Sequence, residues 1–277
     1  MTEIKKLTLE SDFGVLKKQS IEFSTDEQKP LTVIIGKNGG GKTTLVNAIK
    51  IGLSLEPAAR NAEEIDKIKN YGAKPVLETT FDSSFVSKEN EFLFFPDMER
   101  WGGYIKQTPD RLKQFSKQFS NQSVADKMNE FKGRSVNYRM HKMQNSKFIF
   151  DETGNLRLID EDGLDCIESL AAAESLFVNL IWVLAARHFV APNSFLVLDN
   201  FLGRLSFSHR ADLIPLLFSR GNFSQIIWLV SDTEYLGRQT GLSAEPIPSL
   251  RELILKKQVL GKEYKIVDGY VVPFGGK

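Results

Sequence analysis

Cysteine is nearly missing: Cys166 is the only one in 277 residues. A single thiol excludes an internal disulfide and a cysteine-built metal cluster. It fits a reducing cytoplasm, with the thiol as a buried structural residue. The three histidines, His141, His188 and His209, lie far apart and show no metal-site spacing. No apolar run approaches the roughly 20 residues of a membrane span. The longest apolar-rich stretch, 176–190, is broken by Asn179 and by Arg187 and His188. The first residues carry Lys5 and Lys6 but no apolar core after them, so they do not read as a secretory signal, and no membrane partner is expected. Charge of one sign is also missing, with 36 Lys and Arg against 35 Asp and Glu, so net charge names no partner. Internal repeats and low-complexity tracts are absent. What remains, 42% apolar and 26% charged, is an ordinary globular composition of a length that suits one large domain or two lobes.

Against that background one short stretch stands out. Residues 31–35, LTVII, are apolar and β-branched, as in a strand buried on both faces. Gly36-Lys37-Asn38-Gly39-Gly40-Gly41-Lys42-Thr43 follows and fits G-x-x-x-x-G-K-[ST], the phosphate-binding loop. Glycines let several main-chain N–H groups converge on phosphate oxygens. A helix with apolar residues at Leu45, Ile49 and Leu53 comes next and would present its positive end to the same anion. Lys42 would reach the β- and γ-phosphates of ATP, the Thr43 hydroxyl would ligate Mg²⁺, and Thr44 completes the cradle. A chance glycine turn lacks this strand-before, helix-after context. Further on, residues 195–198 form an apolar strand ending in Asp199, where an open α/β sheet places its ligands. Asp199 would join the Mg²⁺ shell; the plainer reading is a strand-end acid capping a turn. Strands are also expected around residues 4–9, 15–23, 75–81 and 226–230, a hairpin over 148–159, a helix from Ile167 to Val190, a helix over 210–218, and a final hairpin turning at Asp268 and Gly269.

These pieces resemble the ATP-binding heads of the SMC, RecF and double-strand-break-repair ATPases within the ABC superfamily. GKNGGGKTTLVNAI is similar to their nucleotide loop. Residues 63–82 resemble the turn and strand that follow, 169–186 the signature motif and its helix, and 195–206 the second acidic motif with its dimer-contact loop. Together they cover about half of the chain. The resemblance implies an α/β P-loop NTPase, ABC ATPase-like, with a mixed central sheet, an N-terminal antiparallel β region and a small helical insertion. It implies three segments: 1–96 with the phosphate loop, a basic helical insertion over 97–147, and 148–277 with the signature and second acidic motif. It also implies two heads closing on two ATP molecules, the partner being an identical chain or a related head. Ala171 and Glu174 would then occupy the signature position facing the partner's nucleotide, and Leu205 and Ser206 the dimer contact.

The chain departs from the family pattern at three places. Ala171, Ala172 and Ala173 stand where the signature carries Ser and Gly. Alanine offers no hydroxyl to a γ-phosphate and hinders close backbone approach. Asn200 stands where a Glu positions the attacking water, and an amide is a poor general base. Asp232 stands where a switch histidine is expected, and a carboxylate there would repel the γ-phosphate. The expectation is ATP binding with weak or absent hydrolysis, since one lost polar group in a site can cost about 10²–10³ in rate. Two other readings stay open: a partner supplies the missing base, or Glu174, Glu234 or Asp232 serves in a different geometry. Between Arg100 and Lys147 eleven basic residues face three acids, with Phe115, Phe119, Phe131 and Tyr138 interleaved. That pattern suits a nucleic-acid backbone, an acidic effector protein, or merely a solvated helix face. By resemblance, the setting is a DNA-repair or phage-defence complex.

Overall fold

The first strands follow their apolar alternation. In the computed structural model, which describes residues 2–55, 57, 61–81, 94–95, 121–135, 141–190, 194–199, 214, 217–218, 223–237 and 249–275, β1 spans Ile4–Leu9, β2 Gln19–Glu22 and β3 Leu31–Ile35. α1 (Lys42–Gly52) and α2 (Ala62–Lys69) come next, then β4 (Val76–Thr79) and β5 (Phe94–Phe95). α3 (Asn121–Ser135) and the single turn α4 (His141–Gln144) precede the hairpin β6 (Lys147–Phe150) and β7 (Leu156–Ile159). α5 (Ala172–Val190), β8 (Phe195–Asp199), β9 (Gln225–Val230), α6 (Asp232–Leu236), α7 (Leu250–Lys257), β10 (Leu260–Val267) and β11 (Tyr270–Pro273) complete the order.

The chain forms two compact units, Met1–Arg100 with Asn193–Gly203 and Phe223–Lys277, and Trp101–Pro192 with Arg204–Asn222. The first holds a three-stranded antiparallel sheet, β2-β1-β4, and a six-stranded sheet, β11-β10-β3-β9-β8-β5. In the larger sheet β10, β3, β9, β8 and β5 run parallel and β11 turns back antiparallel, so the sheet is mixed. β3, β8 and β9 are buried along their whole length, in keeping with their largely apolar sequences. The one polar residue of β3, Thr32, accepts a hydrogen bond from the Ser24 amide at 2.8 Å.

Two polar clamps hold this unit together. Gln225, fully buried on β9, donates to the carbonyls of Ile4 (2.8 Å) and Ser24 (2.7 Å) and accepts from the Ile4 amide (2.9 Å). It thereby ties the antiparallel sheet to the central one. The β10–β11 turn has both Asp268 and Gly269 in the left-handed region, with φ 48° and 85°, as a tight two-residue hairpin requires. The Gly269 carbonyl accepts from the Lys17 amide (3.0 Å) and the Gln19 side chain (2.8 Å), and a Cβ on Gly269 would lie 2.4 Å from the Val15 carbonyl oxygen.

In the second unit α3 packs against α5 and β6. Val124, Ala125, Met128 and Phe131 form its buried face. The Asn129 side chain bonds both main-chain groups of Phe148, donating at 2.9 Å and accepting at 2.8 Å. One expected element is divided. The helix from Ile167 is a 3-10 turn, Ile167–Ser169, then extended Leu170 (φ −66°, ψ 141°), and only then α5. α7 went unforeseen, although its capping box, Ser249 with Glu252, is written in the sequence. The helix expected over 210–218 falls largely outside the described residues.

Candidate nucleotide-binding site

The phosphate loop leaves the sheet between its two central parallel neighbours. Ile35, the last residue of β3, is level with Val230 on β9 and Lys265 on β10. The Gly36 amide donates to the Val230 carbonyl at 3.0 Å, which fixes the root of the loop. Gly41 caps α1 at φ 105°, a conformation side chains avoid, and a Cβ there would lie 3.0 Å from Leu16 and Val15. No side chain caps α1 and its first turn holds no acid, so its amide dipoles are left for an anion.

Lys42 is 7% exposed, and its ammonium donates to the carbonyls of Gly36 (2.8 Å) and Lys37 (3.0 Å) within the loop. The Thr43 hydroxyl donates to the Asp199 carboxylate at 3.1 Å, and Asp199 is 3% exposed at the end of β8. Two hard oxygen donors therefore sit side by side next to the loop. That suits Mg²⁺, which takes one or two protein oxygens and fills its remaining positions from phosphate and water. Among the described residues, no group of three His, Cys, Asp or Glu could hold a metal by itself. An open cleft of about 550 Å³ lies along the loop, lined by Val15, Lys37–Gly40 and Lys265–Gly269.

A family model described as an AAA domain matches residues 6–161, more than half of the chain. The chain belongs to that AAA-domain family. Its fold is shared with the SMC head domain of Thermotoga maritima, with TM-score 0.54 and 14% identity over 99% of this chain and 100% of that one. An SMC head domain derived from Pyrococcus furiosus, bound there to the C-terminal domain of ScpA, has TM-score 0.57 and 14% identity over 98% of this chain and 96% of its own. No curated protein matches the sequence. The fold is thus the α/β P-loop ATPase head that the resemblance implied, and the family's property is nucleotide binding, typically with Mg²⁺.

The other site residues of this AAA-domain chain divide between the units. Asp232 begins α6, just beyond β9, and its carboxylate pairs with Lys265 at 3.0 Å. Glu234 completes a capping box with Ser231, its carboxylate accepting from the Ser231 amide at 3.4 Å. Ala171 and Glu174 lie in the second unit. Ala171 is exposed at the start of α5, and the buried Glu174 carboxylate accepts from the Ala171 amide at 3.0 Å, capping the helix. Asn200, Leu205 and Ser206 lie outside the described residues, as does most of the basic insertion. Within the described part of that insertion, Lys132 is buried and donates to the carbonyls of Met143 (2.8 Å) and Gln144 (3.3 Å), and burial holds its pKa below the ordinary lysine value. Lys127 pairs with Glu130 at 2.7 Å and covers the Phe131 ring. Lys265 and Gln225 were missed by sequence reasoning. Nothing local marks either one, because their partners come from distant parts of the chain.

Proposed function

We propose that this chain is an ATP-binding head that closes against a second head when Mg²⁺-ATP binds, and that it hydrolyses ATP weakly or not at all by itself. The observation that carries the reading is the Gly36–Thr43 loop, with the Lys42 ammonium inside it and Thr43 touching Asp199. The replacements at Ala171–Ala173, Asn200 and Asp232 support weak hydrolysis. So does the use of the Glu174 and Glu234 carboxylates as helix caps, which commits one oxygen of each to a main-chain amide. The second head is an identical chain or a related ATPase. An effector protein docks on the head, as ScpA does on the SMC head of Pyrococcus furiosus. The basic segment Arg100–Lys147 contacts DNA, and the complex acts in the cytoplasm in DNA repair or phage defence.

Titrating Mg²⁺-ATP while measuring mass in solution and turnover tests this directly. Saturable binding, a doubling of mass and slow turnover are expected. No binding at millimolar Mg²⁺ would end the reading. Asn200→Glu is expected to raise turnover by about 10²-fold, the typical worth of one such group, and an unchanged rate would remove Asn200 from the water-positioning role. If no condition, DNA and partners included, gives turnover, the chain is a nucleotide-bound scaffold for a nuclease or toxin.

A further inference from the structure

Asp232 was expected to repel the terminal phosphate, yet it does not stand alone. β10 and β9 flank β3 on opposite sides, with Lys265 level with Ile35 and Asp232 two residues past Val230. An ion pair between Lys265 and Asp232 therefore reaches across the end of β3, over the point where the phosphate loop springs from Gly36. The Nζ–Oδ2 distance is 3.0 Å, and both side chains are half-buried. Lys265 also lines the open cleft, as do Lys37–Gly40 of the loop. Its ammonium has three donors, of which the Asp232 carboxylate takes one. The other Asp232 oxygen, Oδ1, is buried and has no hydrogen-bond partner among the described residues. β10 is also held by Arg251 of α7, whose guanidinium forks onto Glu263 at 2.7 and 3.0 Å.

We propose that Lys265 is a phosphate-contacting cation of the nucleotide site, held on Asp232 until a terminal phosphate arrives. The inference rests on nucleotide binding in the Gly36–Thr43 loop. A triphosphate carries several negative charges against the single one of Asp232, and the half-buried setting strengthens the attraction relative to water. An ammonium between the carboxylate and the phosphate satisfies both, so the Asp232–Lys265 pair supplies the positive group that a lone Asp232 lacks. Among the described residues lining the cleft, the acid Asp268 opposes the anion, while Lys37 and Lys265 favour it. The cation is placed to sense the γ-phosphate, and it therefore separates ATP from ADP.

The test is displacement of a fluorescent ATP analogue by ATP and by ADP, with Mg²⁺, from the full chain. Lys265→Met is expected to weaken ATP about tenfold and ADP less than about threefold, the scale of one charge-assisted contact. Asp232→Asn, which releases the cation without removing it, is expected to keep or tighten ATP binding. Unchanged ATP affinity in Lys265→Met overturns the proposal. So does an Asp232→Asn variant as weak as Lys265→Met, because the pair would then be only structural. If melting curves show that Lys265→Met does not fold, Asp232→Asn decides alone: retained or tighter ATP binding supports the proposal and weakened binding overturns it. Lys42→Ala separates this inference from the reading beneath it. Binding lost there but untouched in Lys265→Met sinks only the role of Lys265, whereas binding kept in Lys42→Ala sinks the nucleotide site itself.

Discussion

Two buried lysines, one in each unit, make the same contacts for different ends. Lys42, 7% exposed, donates to two main-chain carbonyls, and so does Lys132, 8% exposed. Burial and hydrogen bonding alone therefore do not make a ligand site. The surroundings differ. Lys42 opens an 11-residue helix whose first turn has no acid and no side-chain cap, beside two oxygen donors, Thr43 and Asp199. Lys132 lies within α3 and ties down the carbonyls at the end of the single-turn α4. The first ammonium can exchange loop carbonyls for phosphate. The second holds a short helix that could not stand by itself.

That contrast can be broken by substitution. Lys42→Ala is expected to weaken Mg²⁺-ATP by about 100-fold or more, the loss of a charge-assisted phosphate contact, beside a loss of stability from the loop carbonyls it leaves unpaired. Equal binding by calorimetry would place Lys42 with Lys132 as a structural residue. Lys132→Ala is expected to cost about 2 kcal/mol of stability, since it strands buried carbonyls, and to leave ATP affinity as it was. Urea unfolding and the same titration check both halves. Asp199→Asn sharpens the comparison through the metal. It should remove most of the gain in ATP affinity that Mg²⁺ brings, about tenfold, and a variant that keeps its full Mg²⁺ dependence would exclude Asp199 from the metal shell. The smallest effect is on pH. Burial lowers the folded-state pKa of Lys132, so the unfolded chain binds more protons between that lowered value and the ordinary lysine value. Stability of the native chain relative to Lys132→Met should therefore rise with pH through that window. A flat difference would mean that the ammonium is not desolvated.

The loop and most strands were legible because their signals are local, although the strand expected over 15–23 forms only at Gln19–Glu22. LTVII needs only its own side chains to read as buried, and GKNGGGKT needs only its own spacing. The hairpin at Asp268 and Gly269 was legible for the same reason. Asp199 was readable once the loop gave the strand edge a meaning. Gln225, whose partners lie 221 and 201 residues away, was not, and neither was the reach of Lys265 to Asp232 across another strand. The stop at Leu170 was hidden because the apolar periodicity continues through it, while extended backbone there closes the 3-10 turn. Asp232 has a partner that its own place in the sequence does not name, the Lys265 ammonium at 3.0 Å.

The position of β3 in the sheet has a consequence for biosynthesis. Its hydrogen-bonding neighbours on both sides, β9 and β10, begin at Gln225 and Leu260. The nucleotide loop emerges from the ribosome well before the strands that flank it. Such long-range parallel pairing is slow and leaves strand edges exposed until closure. A nascent chain halted before residue 225 would carry the whole loop motif and still lack the walls of its site, so nucleotide cannot select for correct folding until both flanking strands have been made.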